Sequence, residues 1–287
     1  MRKIVQYLMF SLLGVLTTCS FTEKSEIISI DDDNYIENIL NEADQNTLVI
    51  FDCDLVLIMP KDVLFLSSTE NAQVFRKIKK YLIDKIGVEA KNELLDESRK
   101  QWPMKLVNKN FPNIIQNLQA KGVRVLLLTA MLTGKVRNIE WIEDLRKSEM
   151  ESFSFNFKKS WKDCPNFTFE EFPTTIEDWG ITCYPKFEDG MIFTCEVEKG
   201  VILKHFLKRS QLKFSKIIKI IFIDDGVKNV RSVFDACQEL KIPCTCIEYT
   251  KVKHMKIRTT DFETERKRFE DFIKTKQWKS DPGDLDC

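Results

Sequence analysis

The sequence predicts an α/β fold, in which a central parallel sheet is flanked by helices. Four short apolar segments end abruptly at polar residues, which is typical of strands buried on both faces. Helical patterns alternate with these segments, and such strand–helix–strand connections build parallel sheets. With 43% hydrophobic residues and 21 Phe, the 287-residue chain has enough apolar side chains for a sizeable core. Ligands of such sheets bind beyond the carboxyl ends of the strands.

The predicted elements follow in order. The strands are expected at 47–51, 123–128, 217–223 and 243–249. Helical spacing of apolar residues predicts helices at 32–44, 70–87, 90–101, 112–120, 135–147, 199–209 and 227–240. The alternation stops at 148–198, a segment rich in Phe, Trp and Pro with a predicted hairpin around Glu188-Asp189-Gly190, which we interpret as an insertion.

The two ends of the chain differ in character. Arg2 and Lys3 precede an apolar run from Ile4 to Leu16, which predicts that residues 1–19 are a signal peptide and that the protein is exported, to the periplasm or out of the cell. The run is shorter than the about 20 residues of a spanning helix, although a short anchor stays open. The charged helix expected at 261–278 is predicted to lie on the surface, followed by a frayed end.

The nine cysteines allow several interpretations. Cys19 follows a segment that resembles a bacterial lipoprotein processing box, so lipidation there stays open. The other cysteines leave disulfide pairing open. The absence of a C-x-x-C pair and the presence of only two His disfavour a zinc site. Cys244 and Cys246 are expected to be buried thiols on one face of a strand.

Acidic residues stand where two of the four strands end. Asp52 and Asp54 follow the first strand, and Asp224 and Asp225 follow the third, while Thr129 ends the second. Parallel packing would bring these ends together, where like charges raise one another's pKa or require a cation. Oxygen ligands without an imidazole or thiolate cluster indicate Mg²⁺. The alternative is that each acidic pair opens a solvated loop or caps the next helix.

Four segments resemble, in order, the motifs of the haloacid dehalogenase superfamily of phosphohydrolases. The first motif is matched by Asp52-Cys53-Asp54-Leu55-Val56, the second by Leu126-Leu127-Leu128-Thr129 and the fourth by Ile221-Phe222-Ile223-Asp224-Asp225-Gly226-Val227-Lys228-Asn229. The third motif is a lysine at a helix start, for which Lys199 fits best and Lys204 is the reserve. Within the superfamily, the chain looks most like an exported bacterial branch of undescribed function.

The resemblance implies an organisation and an activity. It implies a Rossmann-like core over 20–258, a helical cap inserted at about 66–110, a second insertion at about 148–198 and a charged carboxyl-terminal segment at 259–287. The implied activity is Mg²⁺-dependent hydrolysis of a small phosphomonoester. A phosphatase is favoured over a dehalogenase, because dehalogenases of this superfamily lack an acid at the position of Asp54.

The resemblance also implies a role for each site residue. Asp52 is the nucleophile that forms an aspartyl-phosphate, and Asp54 is the general acid and base. Thr129 and Lys199 hold the phosphoryl oxygens. The metal ligands are Asp52, Asp54 through its backbone carbonyl, and Asp224, with Asp225 orienting the metal shell or the lysine.

A second hypothesis is an exported binding or effector module whose pocket no longer turns over. In either case the expected partner is a small phosphorylated molecule. The charge balance of 44 basic against 44 acidic residues argues against a polybasic nucleic-acid scaffold. No obligate protein partner is inferred, and membrane contact is expected only through the signal segment or a lipid on Cys19. The tryptophans at 102, 141, 161 and 179 are expected in the core more often than facing a substrate.

Overall fold

The computed structural model describes residues 24–66, 69–177, 180–210 and 217–280. The strands in chain order are β1 Glu26–Ile30, β2 Thr47–Phe51, β3 Ile58–Pro60, β4 Met104–Leu106, β5 Arg124–Thr129, β6 Phe167–Thr168, β7 Thr174–Ile176, β8 Ile181–Cys183, β9 Lys186–Glu188, β10 Met191–Phe193, β11 Lys219–Asp224 and β12 Cys244–Tyr249. The helices are α1 Asp33–Asn41, α2 Thr69–Ile86, α3 Val88–Arg99, α4 Phe111–Ala120, α5 Ile142–Ser152, α6 Lys199–Ser210, α7 Val227–Leu240, α8 Lys251–His254 and α9 Phe262–Thr275.

An eight-stranded sheet in the order β1-β12-β11-β2-β5-β10-β9-β6 forms the centre of the fold. The first six of these strands are parallel, and β9 and β6 complete the sheet with antiparallel pairings. The four strands predicted from the apolar runs are the adjacent strands β12, β11, β2 and β5. The predicted α/β class, with a central and mostly parallel sheet flanked by helices, is therefore confirmed.

Helices cover both faces of the sheet because the central strands are apolar on both sides. All five residues of β2 are buried. On one face, α1 and α4 contribute Leu40 and Phe111 to the core, and on the other α6 and α7 contribute Phe206 and Val233. The core is thus two apolar layers with the sheet between them, and the carboxyl ends of the strands remain free to carry polar groups.

Residues 148–198 extend the sheet rather than lying outside it. The predicted hairpin is confirmed, since β9 and β10 pair antiparallel with Met191 opposite Glu188. β10 also pairs in parallel with β5, and β6 pairs with β9. The segment therefore adds three strands to one edge of the sheet.

The helix predicted at 135–147 is wrong, because α5 begins at Ile142 and ends at Ser152. Val136 and Ile139 exchange two backbone hydrogen bonds of 2.9 Å across a tight turn, in which Arg137 has a φ of 51°. Apolar residues three positions apart fit such a turn as well as they fit a helix. The Glu143 carboxylate then accepts the N–H of Gly134 at 2.7 Å, which holds the turn against the first turn of α5.

The carboxyl-terminal helix α9 has one face exposed, as expected of a surface helix, while its apolar stripe is buried. The α9 residues Phe269 and Phe272 are buried in a cluster with Ile78 and Leu82 of α2, and Trp278 closes this cluster. The sparse apolar stripe is therefore the face by which α9 packs against the helical segment at 69–99. The predicted frayed end, at 281–287, lies outside the described residues.

Some further expectations concern residues outside the described ranges. These include the signal peptide at 1–19, the lipid on Cys19 and the position of Trp179. Within the described ranges, no helix is both long enough and apolar enough to span a membrane. None of the seven described cysteines forms a disulfide. Cys244 and Cys246 are buried, as predicted.

Candidate active site

The site lies at the carboxyl ends of three neighbouring strands. β2 pairs with β11 on one side and β5 on the other. Asp52 directly follows β2, and its N–H donates to the carbonyl of Ile223 at 2.8 Å. Thr129 is the last residue of β5, and Asp224 is the last residue of β11. The strand order therefore gathers side chains that are far apart in the sequence.

Lys199 bridges two carboxylates at the centre of this site. Its Nζ lies 2.6 Å from Asp52 Oδ1 and 2.6 Å from Asp224 Oδ2. All three side chains are buried, with exposed fractions of 2% for Lys199, 8% for Asp52 and 0% for Asp224. The reserve residue Lys204 instead pairs with Glu239 at the surface, 2.7 Å away. Of the two lysines, Lys199 is thus the one at the strand ends.

Three carboxylates form a group that could hold a metal ion. Asp52, Asp224 and Asp225 each offer an oxygen, and these oxygens lie within 4.8 Å of one another. Three carboxylates around one lysine leave an excess of two negative charges when all are ionised. An oxygen-only donor set with this charge fits a hard divalent cation such as Mg²⁺.

The pKa values of these groups reflect burial and mutual repulsion. Burial raises the pKa of Asp52 to about 7, against the opposing effect of the Lys199 charge. Burial and the charge of Asp224 raise the pKa of Asp225 to about 6. Burial lowers the pKa of Lys199, but the two carboxylates beside it outweigh that effect and raise this pKa above its ordinary value. A cation at the group would favour the ionised carboxylates.

The loop after β11 fixes Asp224. Its Oδ1 accepts hydrogen bonds from the N–H of Gly226 at 2.8 Å and from Asn229 Nδ2 at 3.0 Å. Its Oδ2 is the atom that contacts Lys199. Both oxygens of this carboxylate are therefore engaged, which holds its orientation at the site.

Asp54 lies at the site but outside the three-carboxylate group. Its carboxylate contacts Nη2 of Arg146 at 2.9 and 2.8 Å, and 48% of its side chain is exposed. Leu55, with a φ of 62°, turns the chain after it. The strand ends predicted that all four acids gather around one cation, but the Asp54 carboxylate faces Arg146 and solvent instead. The role of its backbone carbonyl as a metal ligand, which the resemblance implies, stays a prediction.

Thr129 is buried at the neighbouring strand end. It is 2% exposed, and its Oγ1 accepts the N–H of Met131 at 3.3 Å. Its carbonyl accepts the N–H of Thr194 at 2.8 Å, which continues the pairing of β5 with β10. The hydroxyl is therefore held by the turn that follows β5. Its contact with a phosphoryl group stays a prediction.

Arg146 is a residue of the site that the sequence did not reveal. It lies on α5 with 4% of its side chain exposed, and its Nη1 lies 3.0 Å from Glu149 Oε2. Glu149 Oε1 also contacts Arg99 of α3 at 2.6 Å. The only signal was an Arg and a Glu three positions apart in a helix, and that spacing is typical of ordinary surface ion pairs.

A pocket of about 250 Å³ opens beside Asp54. It lies between the chain after β2, the end of α3 and α5. Its lining consists of Asp54, Leu55, Pro60, Phe65, Arg99, Trp102, Met104 and Arg146. Of the described tryptophans, Trp161 is in the core as expected, Trp102 lines this pocket, and Trp141 is 55% exposed, which contradicts the expectation for it.

The comparison with protein families covers the whole of this site. The family model described as "Protein of unknown function (DUF2608)" matches residues 29–280, which include Asp52, Lys199, Asp224 and Asp225. The chain belongs to this family. No solved structure matches it significantly.

Two similar proteins come from Rickettsia. An "Uncharacterized protein" of Rickettsia bellii (strain RML369-C) is 25% identical over 240 residues, which cover 79% of this chain and 76% of the relative. "Uncharacterized protein RP296" of Rickettsia prowazekii (strain Madrid E) is 27% identical over 219 residues, covering 76% of this chain and 75% of the relative. These relatives supply a similarity over most of the chain, so the chemistry must be argued from the site itself.

Proposed function

We propose that the chain is a Mg²⁺-dependent phosphohydrolase of the haloacid dehalogenase type, which cleaves a small phosphomonoester through an aspartyl-phosphate at Asp52. The observation that carries the proposal is the buried Lys199 ammonium, 2.6 Å from both Asp52 and Asp224 at adjacent strand ends. Burying charged side chains such as these costs free energy unless their charges are matched. Buried titratable groups with shifted pKa values are common at catalytic sites.

The three-carboxylate group of Asp52, Asp224 and Asp225 would hold the magnesium ion. When bound, the ion supplies positive charge that reduces the repulsion between an anionic nucleophile and an anionic phosphate. Lys199 supplies a second positive charge and keeps Asp52 Oδ1 in place. An ammonium has three N–H donors, and the two carboxylates use two of them. The third donor is suited to a phosphoryl oxygen.

The proposed reaction has two displacements. The Asp52 carboxylate attacks phosphorus, the bond from phosphorus to the ester oxygen breaks, and the departing oxygen takes a proton from Asp54. Water then attacks the aspartyl-phosphate, Asp54 takes a proton from that water, and phosphate leaves with Asp52 restored. Arg146, through its two contacts of 2.9 and 2.8 Å, holds the orientation of the Asp54 carboxyl group between these steps.

The test of the proposal compares Asp52→Asn with a matched control. The mature chain is assayed on an aryl phosphate and a panel of phosphomonoesters, with Mg²⁺ and with EDTA. Loss of the nucleophile is expected to lower kcat by at least about 1,000-fold, as for other essential nucleophiles, and EDTA is expected to stop wild-type turnover. Asp235→Asn, an exposed acid on α7, is expected to keep full activity. Equal turnover by Asp52→Asn and wild type would contradict the proposal.

A binding or effector module is the second candidate, and the ion pair of Asp54 with Arg146 favours it. The Asp54 carboxylate contacts the buried Arg146 guanidinium through both oxygens, so it is engaged by that contact rather than free to meet a leaving group. Calorimetry with Mg²⁺ and inorganic phosphate separates the two functions. A module would bind these ligands and leave every ester of the panel intact.

We also propose that the protein is exported, on the basis of the pattern at residues 1–19. Mass spectrometry of the mature amino terminus tests this. Cleavage near residue 19 would support export, and an added lipid on Cys19 would identify a lipoprotein. An intact Met1 would contradict signal-peptide cleavage.

A further inference from the structure

The pocket beside Asp54 has a place in the proposed reaction, on which the following inference rests. Asp54 is the group that would protonate the departing oxygen, and it forms part of the pocket lining. Whatever occupies the pocket therefore lies on the leaving-group side of the reaction. The chemistry of the other lining residues then indicates which leaving group fits.

One wall of the pocket is aromatic and firmly supported. The rings of Phe65 and Trp102 are stacked, with their centroids 3.5 Å apart and an interplanar angle of 17°. Phe75 contacts the Phe65 ring edge-on, with the two ring centroids 5.6 Å apart. The ring centroid of Trp278 also lies 5.6 Å from that of Phe65. Packed on several sides, this wall presents a preformed apolar surface, which suits a flat apolar group.

The same wall carries a cation. The Arg99 guanidinium lies 5.2 Å from the Trp102 ring centroid, and its Nη1 contacts Glu149 at 2.6 Å. A guanidinium has five N–H donors, and Glu149 orients Arg99 through one nitrogen. With 20% of its side chain exposed, Arg99 can still reach a ligand in the pocket. Arg146 differs, because Asp54 already engages it through both carboxylate oxygens.

The charges around the pocket leave Arg99 as the cation within reach of a ligand. Arg99 and Arg146 are balanced by Glu149 and Asp54, so these four side chains together carry no net charge. Asp54 already contacts Arg146 through both oxygens, so an anionic substituent would meet Arg99. The volume of about 250 Å³ is below the range of about 300–1,000 Å³ typical of drug-sized ligands, so the pocket fits roughly one ring.

We propose that this pocket binds the leaving group of the substrate, and that this leaving group is a single flat apolar ring with an anionic substituent bound by Arg99. The preferred substrates are then aryl phosphates that bear a carboxylate. Simple alkyl phosphates lack both features.

Calorimetry on the full mature chain with Mg²⁺ tests this, with phosphonates as ligands because they are not hydrolysed. The ligands are phenylphosphonate, its 3- and 4-carboxy derivatives and its 4-aminomethyl derivative. The better carboxy isomer is expected to bind at least tenfold more tightly than the aminomethyl compound, which corresponds to about 1.4 kcal/mol. Arg99→Met is expected to abolish this preference, and Arg99→Lys to restore part of it.

Arg209→Met is the matched control. Arg209 also contacts one glutamate, Glu171, at 2.8 Å and an aromatic ring, Phe167, at 5.3 Å, but it lies on α6 and is not part of the pocket lining. The Arg209→Met variant is expected to keep the full preference for the carboxy isomers. Phenylphosphonate binding by each variant reports whether the pocket is still folded.

The inference is overturned if no phosphonate binds, if wild type has no preference for the carboxy isomers, or if Arg99→Met retains that preference. The comparison between ligands on wild type needs no variant, so the inference can be tested even if a variant misfolds. Hydrolysis is scored separately with the matching phosphates. A chain that binds with the expected preference and hydrolyses nothing contradicts the proposed function alone, and one that hydrolyses aryl phosphates without preference contradicts this inference alone.

Discussion

At the scale of single residues, Lys199 is the side chain on which the site depends most. It is a buried cation between two buried carboxylates, and each charge is tolerated because the others compensate for it. Removing the ammonium leaves two acids next to each other in a region with little water. The arrangement therefore contributes to stability as well as to the proposed chemistry.

Substitution of Lys199 tests this compensation. Lys199→Met is expected to lower the free energy of unfolding by about 3–5 kcal/mol, the range for breaking a buried ion pair. Lys204→Met removes a lysine from the same helix whose pair with Glu239 is at the surface, and it is expected to cost less than about 1 kcal/mol. Urea unfolding in EDTA measures both. Similar losses for the two variants would show that Lys199 is not electrostatically important.

At the scale of elements, two contacts made by helices position the site. The first is the close approach of α6 to α7 at Gly200, directly after Lys199. A Cβ on Gly200 would lie 2.0 Å from the carbonyl oxygen of Ser232. The Gly200 N–H also donates to Ser232 Oγ at 3.0 Å. Only a residue without a side chain lets α6 lie where Lys199 reaches the strand ends.

Gly200→Ala is therefore expected to destabilise the protein, although alanine is the better helix former. The overlap with backbone forces α6 away from α7, and overpacking of this kind costs about 1–3 kcal/mol. Asp235→Ala, at an exposed position of α7, is expected to change stability by less than about 0.5 kcal/mol. Thermal unfolding compares the two variants. A stabilised Gly200→Ala would contradict the close approach.

The second contact joins α9 to Asp62, which lies in the chain between β3 and α2. Asp62 is fully buried, and it accepts hydrogen bonds from Arg268 and from the Trp278 indole, the latter at 3.2 Å. It also accepts the N–H of Leu64 at 3.2 Å, next to the pocket residue Phe65. The carboxyl-terminal helix thereby fixes the aromatic wall of the pocket.

Arg268→Met is expected to lower the free energy of unfolding by about 3–5 kcal/mol, because Asp62 and the equally buried Glu265 lose their shared cation. Arg266→Met is the control from the same helix. Its pairs with Glu263 and Glu270 are at the surface, so its loss is expected to cost less than about 1 kcal/mol. Equilibrium unfolding in urea measures the difference, and equal costs would argue that α9 is only loosely attached.

At the scale of the whole molecule, metal binding and folding are linked. The three carboxylates of the metal group come from the ends of β2 and β11, which are neighbours only in the folded chain. A cation that binds the native state alone stabilises it by mass action. Stability in Mg²⁺ therefore reports on the assembled site without any assay of turnover.

Mg²⁺ at ten times its Kd is expected to stabilise wild type by about 1.4 kcal/mol, which raises Tm by roughly 2–3 °C for a domain of this size. Asp224→Asn is expected to lose this shift. Asp54→Asn is expected to keep it, because the Asp54 carboxylate lies with Arg146 outside the metal group. Thermal unfolding at matched ionic strength makes the comparison. An unchanged shift in Asp224→Asn would contradict the metal site.

Much of the sheet and the position of the acids could be predicted because both depend on local patterns. Strands buried on both faces are continuous apolar runs, and a run must stop where the chain reaches polar surroundings. Asp52, Thr129 and Asp224 stand at those stops and are recognisable from the sequence alone. The parallel connection of the strands then required the stops to lie at one edge of the sheet.

The tertiary structure alone decided the surroundings of that edge. The pairing of Asp54 with Arg146, the packing of α9 on α2 and the contact of Phe65 with Trp102 join residues that are far apart in the sequence. Side chains of these types are as common on exposed surfaces, so no local pattern marks them. Their role depends on which surfaces meet when the chain folds. The sequence by itself thus determined where the acids lie, and only packing decided what faces them.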